Sequence, residues 1–186
     1  DMVYKDLNDD GVINQDDQKA IGHPLYPEYT FGSNLGLQWK GFDISLSWAG
    51  ATRTSRLLGE TYRISFGSTL DRSLLKYMAD GRWTPETAEK ATYPRMTLTG
   101  QNNNSKDSDF WLRDASYLRL KNLELGYRFK GNVLKKLGVS ELRAYLNGYN
   151  LLTFDKLKIT DPESRTGSDS QYPLTKVYNL GVNVNF

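Results

Sequence analysis

The residues Asp6-Leu7-Asn8-Asp9-Asp10-Gly11-Val12-Ile13-Asn14-Gln15-Asp16-Asp17 set out oxygen donors in the order of a calcium-binding loop. Calcium is a hard cation that takes about six to eight oxygens, so alternating carboxylates and amides suit it. The expected ligands are the side chains of Asp6, Asn8, Asp10 and Asp17, the Val12 carbonyl, and Asn14 through a water. Gly11 supplies the sharp turn, and Ile13 anchors the loop inward. The same residues also fit a solvated, Asx-rich turn. On the first reading Ca2+ is structural and stiffens an outer loop.

Other chemistry is sparse. His23 is the single histidine, set before Pro24 in a loop without a nucleophile pattern, and reads as a surface residue. No glycine-rich phosphate loop and no paired-carboxylate motif occurs, so the chain is not expected to be an enzyme. The absence of cysteine excludes disulfides and thiolate metal sites. A net charge of +2 without a long basic run argues against nucleic-acid partners. Aromatics in the irregular segments (Tyr62, Phe66, Trp83, Tyr93, Phe110, Trp111 and Tyr172) suit stacking on sugar rings or peptides, or packing loops together. Tyr62, Trp83, Trp111 and Tyr172 form the candidate substrate-binding set.

These loops need a frame, and strand periodicity supplies it. In the last eleven residues Tyr178, Leu180, Val182, Val184 and Phe186 fall on one face and Asn179, Gly181, Asn183 and Asn185 on the other. Upstream, Tyr29, Phe31, Leu35, Leu37 and Trp39 share a face, followed after Lys40-Gly41 by Phe42, Ile44, Leu46 and Trp48. This pattern predicts a hairpin. A third strand is expected over 117–129, with Leu118 and Leu120 out of phase with Leu123, Leu125, Tyr127 and Phe129. Either a bulge shifts the register there or the upper part of the strand projects above a membrane. A fourth strand spans about 142–152, with Leu142, Ala144 and Leu146 as the preferred apolar face. Helical spacing of Leu70, Leu74, Leu75 and Met78 predicts a short helix over 69–79, and 131–139 reads as an amphipathic turn around Leu134 and Leu137.

Hydrophobic residues make up 38% of the chain, with a mean hydropathy of −0.61. No stretch approaches a membrane-spanning helix, which leaves β-barrel insertion untouched. Two architectures fit these strands. One is a transmembrane barrel, favoured by rings placed at strand ends: Trp39 and Phe42 by the turn, Tyr29 and Trp48 at the far side. The other is a soluble, calcium-stabilised carbohydrate-binding β-sandwich. Connection lengths alternate, short at 40–41 and 130–141 and long at 51–116 and 153–175. On a barrel, long loops face outward and short turns inward, which puts the C-terminus on the periplasmic side. The expected organisation is an extracellular loop with the calcium-type motif at 1–28, a barrel hairpin at 29–50, a long extracellular loop at 51–116, and last barrel strands at 117–186 with the loop 153–175.

The stretch from Ser108 to Asn122 (SDFWLRDASYLRLKN) resembles the SusC/RagA family of TonB-linked outer-membrane proteins of Bacteroidetes. So do the acidic loop at Asp6, Trp83-Thr84-Pro85, Tyr93-Pro94-Arg95, Leu134 to Gly138, Asn150 to Phe154, and the closing strand on Phe186. Asp17, in place of a longer Glu, makes the acidic loop similar to dockerin-type loops. Asp9 and Ala115 depart from the glycines common in the family at those places.

The resemblance implies an all-β fold: C-terminal antiparallel strands of a large transmembrane β-barrel of about 22 strands with long extracellular loops. It implies TonB-dependent import of large nutrients across a bacterial outer membrane, glycans ahead of peptides. The implied partners are a SusD-like surface lipoprotein, the TonB complex, the oligosaccharide or peptide substrate, and outer-membrane lipid. The chain opens on Asp1-Met2-Val3-Tyr4 without a signal peptide and reads as a fragment, with the plug domain and TonB-contacting segment expected upstream. Five strands cannot close a barrel, so it is not expected to function alone.

Overall fold

The computed structural model describes residues 1–66, 73–98, 103–131, 134, 136, 138–164, 172 and 174–186. Its elements are β1 (Tyr29–Trp39), β2 (Phe42–Thr52), β3 (Ser55–Leu57), α1 (Glu60–Arg63), α2 (Lys76–Gly81), β4 (Leu112–Asp114), β5 (Tyr117–Phe129), β6 (Glu141–Asp155) and β7 (Val177–Asn185). Short 3-10 turns occupy Gln15–Asp17 and Asn103–Ser105. The chain divides into two compact units, one formed by 1–23 and 55–113, the other by 24–54, 114–164 and 172–186.

The second unit is one open antiparallel sheet in the order β1-β2-β5-β6-β7. Its first hairpin is as tight as its sequence demands. Lys40 (φ 48°) and Gly41 (φ 94°) both take positive φ, the geometry of the primed turns that match strand twist. The Gly41 carbonyl accepts from the Arg128 N–H at 2.8 Å, which ties the turn to β5. At the same end of the sheet, the Ser140 N–H donates to the Asn185 carbonyl at 2.8 Å. The short 40–41 turn and the end of β7 therefore lie at the same end of the strands.

The phase problem in the third strand resolves as a bulge. Ser47 pairs with Asn122 and Trp48 with Leu120, leaving Lys121 without an opposite residue on β2. On β6 the register shifts between the Leu120–Leu152 and Asn122–Tyr149 pairs, across Asn150 in the left-handed region (φ 53°). The extra residue flips the phase. Leu118 and Leu120 consequently share a face with Leu123 and Leu125.

The first unit is less regular. β3 pairs with β4, and the Leu58 N–H donates to the Trp111 carbonyl at 3.0 Å. Leu58, Met78, Tyr93 and Trp111 form its buried centre. Helix α2 begins later than the expected 69–79, because Leu75 is extended (φ −76°, ψ 139°) and serves as its N-cap. Leu70 lies outside the described residues. So do Leu137 and Lys135 of the expected 131–139 turn, and residues 165–171 and 173 of the 153–175 loop.

The compact units divide at 23/24, 54/55 and 113/114. Hydrogen bonds tie the segments that flank the first hairpin to one another. The Glu28 N–H donates to the Arg53 carbonyl at 3.4 Å and Thr54 Oγ1 to the Leu25 carbonyl at 2.8 Å, so these flanks fold with the hairpin.

Candidate functional site

The acidic loop is wound on its own carboxylates. Asp6 Oδ1 accepts from the Asp9 N–H and Oδ2 from the Gly11 N–H, both at 2.7 Å. Asp10 Oδ1 accepts from Val12 at 2.7 Å, and Asn8 Oδ1 from Asp10 at 3.1 Å. Asp17 closes the loop, taking the Leu7 N–H at 2.7 Å and the Asn14 N–H at 2.8 Å. Asn14 completes a capping box by accepting from Asp16 at 2.6 Å. Hydrogen bonds from the Asn14 and Leu7 amides hold the Asp17 carboxyl below the ordinary carboxylate range. Asp9 (φ 61°) and Gly11 (φ 81°) both sit in the left-handed region, and nothing surrounds the position a Gly11 side chain would take. Among the described residues no group of three or more His, Cys, Asp or Glu side chains is gathered into a metal cluster. The donor set fits a hard cation by type and order, while its carboxylates face the loop's own amides.

The candidate stacking aromatics part company. Trp111 is 1% exposed, donates its indole N–H to the Asn104 carbonyl at 2.8 Å, and meets Tyr93 and Phe110 edge to face. It is a packing residue, with no face open for a substrate ring. Tyr93 is buried too; burial raises its phenol pKa, and its hydroxyl donates to the Arg63 carbonyl at 2.5 Å. Tyr62 is half-buried, and its carbonyl accepts from the Tyr77 hydroxyl. Trp83 is 41% exposed and Tyr172 87% exposed, so these two keep accessible rings. His23 is tied through its backbone N–H to Ser55 Oγ at 2.9 Å.

The sheet carries the strongest signal. Across the register, Leu37, Ile44, Leu125, Leu146 and Leu180 stand in one row. The adjacent rows are Trp39, Phe42, Tyr127, Ala144, Val182 and Leu35, Leu46, Leu123, Gly148, Tyr178. The preference for Leu142, Ala144 and Leu146 as the apolar face of the fourth strand thus matches the register. This face is open: Trp39 is 64% exposed and Leu180 77% exposed. Rings cluster along it, with Phe42 4.5 Å from Tyr127 and Trp48 stacked 6.5 Å from Phe154. Within this unit, among the described residues, no second sheet seals it, so the sandwich has no support.

The opposite face is polar and cross-braced. Arg143 Nε donates to Asp43 at 3.1 Å and its Nη2 to Glu124 at 2.6 Å, joining β6 to β2 and β5. Arg128 lies 3.5 Å from Asp43 and 3.4 Å from Glu141. Asn179 donates to Asn147 at 2.8 Å. At the far end of β5, Arg119 is 2% exposed and bound to Asp161, Glu163 and Thr153. Residue spacing did not single out these ion pairs. Asp43 and Glu124 are visible only as polar members of alternating strands, and Asp161 and Glu163 come from a loop.

No family model matches the chain. It is 30% identical over 197 residues to TonB-dependent receptor P3 of Formosa agariphila, covering 99% of this chain and 19% of that protein. With TonB-dependent receptor SusC of Bacteroides thetaiotaomicron it shares 28% identity over 189 residues, 99% of this chain and 17% of SusC. Among solved structures it matches a chain of the RagAB peptide importer in its 'open-open' state, with a TM-score of 0.71 at 28% identity. That match covers 94% of this chain and 19% of the other. The chain thus spans about a fifth of the length of the relatives it matches.

Proposed function

Because this chain belongs to the SusC/RagA family of TonB-dependent receptors, we propose that it builds part of the wall and outer loops of an outer-membrane importer of large nutrients. The observation that carries this reading is the open apolar face running across five strands, backed by a polar, ion-paired face. Water does not tolerate the first at that size without a partner. Lipid satisfies it, and the polar face then lines the barrel interior. The short 40–41 turn and the end of β7 lie on the periplasmic side, and the longer connections face outward.

Transport, not catalysis, is the activity. Energy comes from the TonB complex, and a SusD-like surface lipoprotein covers the outer loops. Glycan is the cargo, and the accessible Trp83 and Tyr172 rings, and in part the half-buried Tyr62, each offer an apolar face of the kind sugars stack on. Peptide is the second reading, favoured by the likeness to RagAB, a peptide importer. The acidic loop takes Ca2+ through Asp6, Asn8, Asp10, Val12, Asn14 and Asp17. Its support is a donor order that suits the ion and a backbone already wound around Asp6 and Asp17.

Deletion of the gene in the source bacterium, with growth scored on a panel of polysaccharides and on protein hydrolysate, tests the cargo. Loss on one polysaccharide, restored by the intact gene, is expected. Loss on hydrolysate alone would move the assignment to peptide, and normal growth on every substrate would remove the importer.

A further inference from the structure

Residues 156–164, which follow β6, stay bonded to the sheet. Asp155 Oδ1 accepts from the Lys158 N–H at 2.9 Å, and Lys158 takes a left-handed conformation (φ 58°). The backbone doubles back there, with the Ile159 N–H donating to the Leu157 carbonyl at 2.7 Å. Leu157 is buried at that reversal. A second self-braced turn follows, in which Asp161 Oδ1 accepts from the Glu163 N–H at 2.9 Å and its carbonyl from Ser164 Oγ at 2.8 Å.

The carboxylates of this second turn point at one buried cation. Both oxygens of Asp161 accept from Arg119 Nη2 at 2.9 Å, and Glu163 accepts from Nη1. Nε is taken by Thr153 Oγ1 at 2.9 Å, on the residue directly opposite Arg119 in β6. Glu163 also accepts from Lys121 at 2.6 Å and from the Tyr117 hydroxyl at 2.8 Å. Tyr117 and Arg119 lie on the polar face, because the bulge at Lys121 put Leu118 and Leu120 on the other. A guanidinium removed from water is tolerated only when its donors are matched, and here Nε and both terminal nitrogens are used.

We propose that residues 155–164 form a fixed strap across the polar face of β5, with Arg119 as its pin, and are not a moving part of the outer loop. Anything reaching that end of the polar face meets the Asp161–Ser164 turn as a permanent surface. The inference rests on contacts inside one compact unit and does not depend on the membrane reading. Lysine cannot replace the pin, since a single ammonium cannot reach Thr153, both Asp161 oxygens and Glu163 together.

Hydrogen exchange of the full-length protein in detergent micelles tests this without knowledge of the substrate. In the wild type, the bonded amides of Lys158, Ile159, Glu163 and Ser164 should exchange at least tenfold more slowly than an unstructured peptide. Asp161→Asn with Glu163→Gln should remove that protection while β5 and β6 keep theirs, and Arg119→Lys should fail to preserve it. Unprotected wild-type amides, or protection unchanged in the double variant, would overturn the strap. Because the wild-type measurement stands alone, a variant that fails to fold leaves the outcome decidable.

Discussion

Asn104 holds two segments at once, its amide oxygen taking the Met2 N–H at 2.7 Å, its amide nitrogen reaching Asp1 at 2.8 Å, and its carbonyl receiving the Trp111 indole at 2.8 Å. Trp111 therefore fills space and satisfies a buried donor together. Trp111→Ala should cost about 3–5 kcal/mol, the usual penalty for deleting a large buried ring. Calorimetry on the full-length protein should show the loss, and Trp111→Phe should recover much of it. A neutral result would return Trp111 to the stacking set. Asp17 offers a different test. Its folded pKa is depressed, so its contribution to loop stability is present above the unfolded carboxyl value of about 3.9 and is lost as pH falls through the lower folded value. Amide exchange at Leu7 and Asn14 should accelerate only in that acid window. Calcium should suppress the change: a loop of about 0.1 mM affinity in 10 mM Ca2+ gains about 2.7 kcal/mol. Exchange indifferent to Ca2+ at neutral and acid pH would remove the ion from the loop.

At the scale of elements, what could be read from the residues followed from period and turn chemistry. Alternation gave the strands of the large sheet to within a few residues, and Lys40-Gly41 marked the hairpin because little else fits a two-residue turn there. A Cβ on Gly41 would come within 3.0 Å of the Arg128 carbonyl in addition to the strain of φ 94°. Gly41→Val should therefore destabilise the hairpin by roughly 1–3 kcal/mol, seen as faster exchange of the β1–β2 amides. The bulge left a visible trace, the phase break at Leu118 and Leu120, but choosing between its two explanations required the partner strands. Less could be read where long-range burial decides the role. Trp111 and Trp83 are the same residue type in equally polar segments, and only folding separates a sealed ring from an open one. Arg119 was opaque for the same reason, since its carboxylate partners lie 42 and 44 positions away.

For the whole molecule, the sidedness of the sheet is the property on which the importer reading stands, and adjacent residues of β7 can interrogate it. Leu180 lies in the open apolar row opposite Leu146, while Asn179 points the other way and donates to Asn147. β7 has nine residues, close to the roughly 9–11 that a tilted strand needs to cross the hydrocarbon core. Leu180 is therefore near mid-depth, where arginine on a lipid-facing side costs about 2–4 kcal/mol. Asn179→Arg sacrifices only one amide hydrogen bond, worth about 0.5–1.5 kcal/mol net, and gains a wet neighbourhood with Glu124 in the same transverse row. Leu180→Arg should thus sharply reduce the folded, heat-modifiable protein recovered from outer membranes, and Asn179→Arg should leave most of it. In water the ranking would flatten, because an exposed leucine accepts arginine at little cost. Equal recovery of the two variants would mean that the apolar rows do not face acyl chains, and a greater loss from Asn179→Arg would place lipid on the wrong side of the sheet.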